Sequence, residues 1–101
     1  MADGEEIDGH LDIVDSLDYE AELAVIIGQG CKECKAGRRF FEYVFGYTIL
    51  NDMSARNLQT SHKQWYFGKS LDDFTPIGPW IVTKDEFKNP PALPIRSYVN
   101  G

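Results

Sequence analysis

The 101-residue chain has little of what marks a membrane, secreted or nucleic-acid-binding protein. No apolar run approaches the ~18 residues that a membrane helix needs. The opening stretch MADGEEIDGH is acidic and holds no apolar core of a secretory signal, so a cytoplasmic location is expected. Positive charge is scarce. Ten Lys and Arg stand against sixteen Asp and Glu, for a net charge of −6, which argues against nucleic acid or an anionic membrane as partner. Cysteine is nearly absent. Cys31 and Cys34 form one CxxC in GQGCKECKAG. A closed zinc site needs a second ligand pair, and His10 and His62 offer no paired spacing. The two cysteines are expected as reduced loop residues, with a thioredoxin-like motif or small zinc module as the competing reading. Internal repeats and low-complexity tracts are missing altogether.

What is present is globular. Hydrophobic residues make up 43% and aromatics 13%, and the length suits one domain with a modest core. Residues 1–16 carry little pattern and are expected as a mobile arm, with the domain proper over 17–101. Along LDYEAELAVIIG, residues 17–28, alternation predicts one strand. Leu17, Tyr19, Ala21, Leu23, Val25 and Ile27 form its core face. The other face begins with Asp18, Glu20 and Glu22 and turns apolar at Ala24 and Ile26. An ordinary solvated face would stay polar to its end. Glu20 and Glu22 stand roughly 7 Å apart on that face, close enough to converge on one cation. A wet strand end carrying two solvated glutamates would show the same pattern.

Further along, Phe40, Phe41, Val44 and Phe45 follow helical spacing and predict a helix over 37–45 that Gly46 stops. YTILN, residues 47–51, reads as a buried strand. MSARNLQ reads as a helical turn with Ser54 as its cap. WYFGKS reads as a short extended piece, DDFTPIGP as a turn-rich loop, and WIVTKDEF, residues 80–87, opens as a strand. NPPALP is a rigid connector. IRSYVNG alternates and ends in the hairpin dipeptide Asn-Gly. The fold class is α+β, strand-dominated.

Asp52 follows directly on a buried strand, where a side chain is well held yet reaches the surface. Glu20, Glu22 and Asp52 together offer three hard oxygen ligands. That set suits Mg²⁺, Mn²⁺ or Ca²⁺ better than zinc. An Asx turn is the alternative for Asp52.

The segments LDYEAELAVIIG, VFGYTILNDMSARNLQ, QWYFGKSLDDFTPIGPWIVTKDEF and YVNG, in this order, closely resemble the fumarylacetoacetate hydrolase family over residues 17–101. The resemblance implies a β-rich roll of stacked mixed sheets, of which this chain holds about half. It implies a divalent metal, usually Mg²⁺, on Glu20, Glu22 and Asp52. It places Lys69 beside the metal, where its ammonium meets the substrate or the developing charge, and Gln59 towards the substrate. It implies a homodimer acting on a small 2-oxo or β-diketo acid by carbon–carbon cleavage, decarboxylation or isomerisation through a metal-bound enolate. The physical logic agrees, since a dioxygen substrate can chelate a Lewis acid while a fixed ammonium adds stabilisation. Trp80 and Pro79 are expected to be packing and turn residues, and Arg56 to hold the metal loop by pairing with a carboxylate.

Two departures matter. Asn57 stands where the family usually carries Asp. The family's lid motif is not matched around His10, and its later strands and Gly-rich loop are not found. The alternative function is therefore a non-catalytic fragment of the same family that binds metal or oligomerises.

Overall fold

The computed structural model describes residues 1–33 and 38–101. The strands are β1 (Leu17–Asp18), β2 (Ala21–Ile27), β3 (Val44–Asn51), β4 (Ser54–Ala55) and β5 (Ile77–Thr83). Helices α1 (Arg56–Ser61) and α2 (Tyr66–Lys69) follow β4, and single 3-10 segments cover Arg38–Tyr43 and Lys84–Glu86. β2, β3 and β5 form one antiparallel sheet with β3 in the middle, and β1 pairs with β4 in a second. The molecule is thus α+β, as expected.

β3 runs longer than YTILN alone because Val44 and Phe45 join it. Phe40 and Phe41 lie in the 3-10 segment, so the helix expected over 37–45 is a shorter, tighter turn, and Cys34–Gly37 lie outside the described residues. Gly46 does not stop a helix. It sits mid-strand, where a Cβ would collide with the Val82 carbonyl and stand 2.9 Å from Ile81 Cγ2. The missing side chain lets β5 cross close to β3. The cysteine reading also changes at its described member, because Cys31 is disulfide-bonded rather than reduced.

The buried cluster comprises Val14, Met53, Ala55 and Phe74, with Ile7, Leu58 and Leu71 packed against it. It gathers at the two-stranded sheet and α1, not on the main sheet. Residues 1–16, read as an arm, lie along this body. Val14 is part of the cluster, the Ile77 amide donates to the Met1 carbonyl at 3.2 Å, and a His10 ring nitrogen pairs with the Asp72 carbonyl at 2.9 Å. The face read as a core face on β2 is instead open. Leu23, Val25, Ile27 and their neighbour Ile49 are exposed, as is Trp80 at 70%, which corrects its expected packing role.

WYFGKS folds as α2 rather than an extended piece. Residues 87–101 contain no strand, so IRSYVNG forms no hairpin. This segment is tied back instead by Tyr47, whose hydroxyl donates to Asn89 Oδ1 at 2.6 Å, and by Asn89 Nδ2 donating to the Lys84 carbonyl at 3.0 Å. The radius of gyration is 16.2 Å, against about 13 Å for a compact domain of this length. The excess reflects a three-stranded sheet with uncovered apolar side chains. Among the described residues, no helix is long and apolar enough to cross a membrane.

Candidate metal centre

The stretch read as one strand over 17–28 is interrupted, and the interruption makes the site. β1 pairs with β4 at Asp18↔Ser54, and β2 pairs with β3 from Ala21↔Asn51. Between these ladders lie Tyr19 and Glu20 on one chain segment, and Asp52 and Met53 on the other. The gap is bridged rather than loose. The Asp52 amide donates to the Glu20 carbonyl at 3.0 Å, and the Glu20 amide donates to Asn51 Oδ1 at 3.1 Å. Leaving the regular ladder frees Glu20 and Asp52 to turn their carboxylates to the same side.

Glu22, on β2, completes the group. Glu20, Glu22 and Asp52 each place a carboxylate oxygen so that all lie within 4.8 Å of one another. Glu20 and Asp52 are half-buried and Glu22 is exposed. Glu22 engages no partner among the described residues.

Two cations face this group. Lys69 Nζ donates to Asp52 Oδ2 at 2.5 Å, to Ser54 Oγ at 2.9 Å and to Glu20 Oε2 at 3.1 Å, which uses all three ammonium protons. Arg56 donates from Nη2 to Glu20 Oε1 at 2.6 Å and to Asp18 Oδ2 at 2.8 Å, and from Nη1 to Gln59 Oε1 at 2.8 Å. The carboxylate partner expected for Arg56 is therefore a pair, Asp18 and Glu20. Arginine only donates, so the Gln59 amide is oriented with its oxygen on Arg56 and its NH₂ turned away. Gln59 itself is buried.

Local packing delivers Lys69 to this position. α2 is pressed onto the start of α1 at Gly68. A Cβ there would stand 2.7 Å from the Gln59 amide nitrogen and 2.8 Å from the Ala55 carbonyl. Ser54 does not cap α1. The residue before α1 is Ala55, with no side-chain cap bond, and the Ser54 hydroxyl is spent within the site. Asn57 Nδ2 donates to the Ile13 carbonyl at 3.0 Å, a bond that an aspartate could not make. Its Oδ1 is buried without a partner.

The charges perturb one another. Hydrogen bonds from Arg56, then from Lys69, hold the Glu20 carboxyl below its ordinary range. A hydrogen bond from Arg56 does the same for Asp18. Burial pulls the Lys69 ammonium down, but its bonds to Asp52 and Glu20 outweigh this and leave it raised.

The donor set fits a hard cation. Four carboxylates (Asp18, Glu20, Glu22, Asp52) against two cations (Arg56, Lys69) leave a formal −2. A divalent ion would neutralise that surplus. Asn51 and Ser54 are the site residues that sequence reasoning missed. Both stand within two residues of Asp52 in NDMSAR, and the signal for each was a short polar side chain close to a candidate ligand.

The family model for fumarylacetoacetate (FAA) hydrolase C-terminal matches residues 1–101. The chain belongs to the fumarylacetoacetate hydrolase family. It is 44% identical over 103 residues to oxaloacetate tautomerase YisK of Bacillus subtilis (strain 168), covering 97% of this chain and 32% of that protein. Among solved structures, fumarylacetoacetate hydrolase (EaFAH) from psychrophilic Exiguobacterium antarcticum superposes with a TM-score of 0.82. It is 47% identical over 86% of this chain and 31% of its own. The 5-carboxymethyl-2-hydroxymuconate delta-isomerase from Mycobacterium smegmatis superposes at 0.68, with 47% identity over 71% of this chain and 28% of its own. The chain thus spans about a third of the length of these relatives.

Proposed function

We propose that this chain carries the cation-binding part of a metal-dependent enzyme acting on a small 2-oxo or β-diketo acid. One observation carries the reading: three carboxylate oxygens lie within 4.8 Å of one another, in a group with a formal surplus of −2. Glu20, Glu22 and Asp52 would hold a divalent cation, with Mg²⁺ the first choice and Mn²⁺ or Ca²⁺ compatible with the same ligands. Such an ion supplies Lewis acidity to a substrate carbonyl when bound.

The chain's own residues supply the rest. Lys69 presents a positive charge where negative charge grows on a substrate oxygen. Arg56 holds Glu20 and Gln59 in one orientation, so the Gln59 NH₂ is preset as a donor. The relatives are a tautomerase, an isomerase and a hydrolase by name. Keto–enol tautomerisation of a 2-oxo acid needs only a proton moved beside the carbonyl. Hydrolytic carbon–carbon cleavage also needs an activated water. Enolisation is therefore the step this site supports most directly, with decarboxylation or cleavage of the same substrates as extensions. The open apolar sheet face, with Leu23, Ile49 and Trp80, supports work within a larger assembly, a homodimer in the first instance.

The test is thermal unfolding of the chain with and without millimolar Mg²⁺ or Mn²⁺, beside Glu22→Ala. Binding at a hundredfold excess over Kd stabilises by about 2.7 kcal/mol. A shift that disappears in the variant is expected. No shift, or an equal one in the variant, overturns the reading. A second reading, metal binding without turnover, is favoured by coverage of only about a third of each relative. Enolisation of oxaloacetate by the metal-loaded chain would exclude it.

A further inference from the structure

Ser54 is fully buried, with 0% of its surface exposed, yet its hydroxyl lies inside the charged group. Its Oγ donates to the Asp52 carbonyl at 3.0 Å and accepts from Lys69 Nζ at 2.9 Å. A single hydroxyl thus ties the main chain of one carboxylate residue to the ammonium that faces it.

Lys69 has three acceptors, and they are not equivalent. Asp52 Oδ2 and Glu20 Oε2 are the same kind of oxygen a cation would claim. A divalent ion on these carboxylates would compete for the lone pairs that Lys69 uses and repel the ammonium. Ser54 Oγ is the one neutral acceptor, and its other bond goes to backbone. It would keep its geometry whatever the carboxylates do.

We infer that Ser54 is a positioning residue: it is the neutral anchor that keeps the Lys69 ammonium beside the centre once a divalent cation has taken the carboxylates. The inference rests on the metal-binding reading above. Its physical content is simple. Without the hydroxyl, Lys69 is held only by carboxylates, and the ion that would call for its charge would also drive it away. Gly68, pressed on Gln59 and Ala55, fixes the backbone of α2 but not the long flexible side chain of Lys69. The hydroxyl is what completes the placement.

The test is NMR of the whole chain, reading the Lys69 Nζ and Cε resonances during a Mg²⁺ titration, for the native chain and Ser54→Ala. In the native chain, slow exchange of the Nζ protons and their contacts with the Ser54 Hβ protons are expected to persist at saturating Mg²⁺. In Ser54→Ala the slow exchange is expected to persist without metal, then to be lost as Mg²⁺ binds. Loss of the Lys69–Ser54 contacts in the metal-loaded native chain overturns the inference, and that measurement stands even where the variant fails to fold. Persistence of slow exchange in the metal-loaded variant overturns it as well. If Mg²⁺ leaves the native resonances of Glu20, Glu22 and Asp52 unmoved, the metal reading itself fails and takes the anchor role with it. That outcome is distinct from intact binding with a free Lys69.

Discussion

The amide of Asp52 donates to the carbonyl of Glu20 at 3.0 Å, at the one place where both neighbouring ladders break. This main-chain bond sets Glu20 and Asp52 side by side, and the Asn51 side chain seconds it. A regular ladder would have sent Glu20 and Glu22 alternately with their neighbours along one face, as the alternation suggested. Glu20 keeps its place beside Glu22, and Asp52 is brought to both. The like charges so brought together are then held by Lys69 and Arg56.

This charge group sets a pH dependence. Glu20 and Asp18 are both held below their ordinary values, first by hydrogen bonds from Arg56. A carboxyl depressed in the folded state adds stability above its unfolded pKa and loses it as pH falls through the folded one. Their reference values are 4.5 and 3.8, so that stability fades below about pH 4. Lys69 is raised, so its contribution is present below 10.5 and is lost as pH climbs through its folded value. Arg56→Gln is expected to move the acid unfolding midpoint to higher pH. Circular dichroism across a pH series checks this, and an unchanged midpoint would show the guanidinium to be a bystander.

Gly68→Ala should destabilise the fold by about 1–3 kcal/mol, the usual cost of overpacking. The added Cβ would meet the Gln59 amide nitrogen and the Ala55 carbonyl, both backbone, so neither can swing aside. α2 must lift, and Lys69 must lift with it. Gly30→Ala, which meets no described atom within 4 Å, should stay within about ±0.5 kcal/mol. Urea unfolding of the two variants side by side gives the comparison. Equal stability would mean that α2 is not pressed on α1.

The three carboxylates of the candidate centre were noticed in the sequence, Glu20 and Glu22 because carboxylates in an apolar run are rare and Asp52 because it ends a buried strand. The strand content was legible for the same reason, since β-branched and aromatic runs persist locally. What was not legible depends on close approach between distant segments. Gly46 and Gly68 look like a stop and a breaker in sequence, yet both are contact points, with β5 and with α1. Ser54 reads as a cap because Ser before a polar turn usually is one; here Lys69 competes for its hydroxyl. α2 was missed because its four residues carry no periodicity, and tertiary packing at Gly68 accounts for it. Leu23, Val25 and Trp80 were read as interior from their chemistry alone, whereas burial also requires a partner layer.

Asn57→Asp should cost stability although the family resemblance leads one to expect Asp there. The Asn57 amide donates to the Ile13 carbonyl and so pins the N-terminal segment to α1. A carboxylate at the same place has no proton to give and faces a carbonyl oxygen. The expected loss is about 0.5–1.5 kcal/mol, the scale of one net hydrogen bond, largest above the carboxylate pKa and smaller in mild acid where the group can protonate. Thermal unfolding at pH 7 and pH 4 measures both arms. A variant as stable as the native chain at pH 7 would show that the residue is accommodated some other way.

Phe74→Ala is expected to be the most damaging of these changes, and the comparison with Trp80→Ala shows why. Phe74 is one of few buried apolar side chains, packed with Val14, Met53 and Ala55 and edge-on to the His10 ring at 6.0 Å. It joins the N-terminal segment, β4 and the loop after α2, so its removal opens a cavity where three segments meet. Such truncations cost about 3–5 kcal/mol, a large share of the 5–15 kcal/mol that a typical domain has. Trp80 is larger but 70% exposed, and its truncation removes little packing within this chain, so a change under about 0.5 kcal/mol is expected. Phe74→Ala should also weaken any Mg²⁺ response, because the loop it anchors follows directly on Lys69. Urea midpoints for the two variants decide the matter. If Trp80→Ala proves the costlier one, the sheet face rather than the Val14–Phe74 cluster is where this chain keeps its stability.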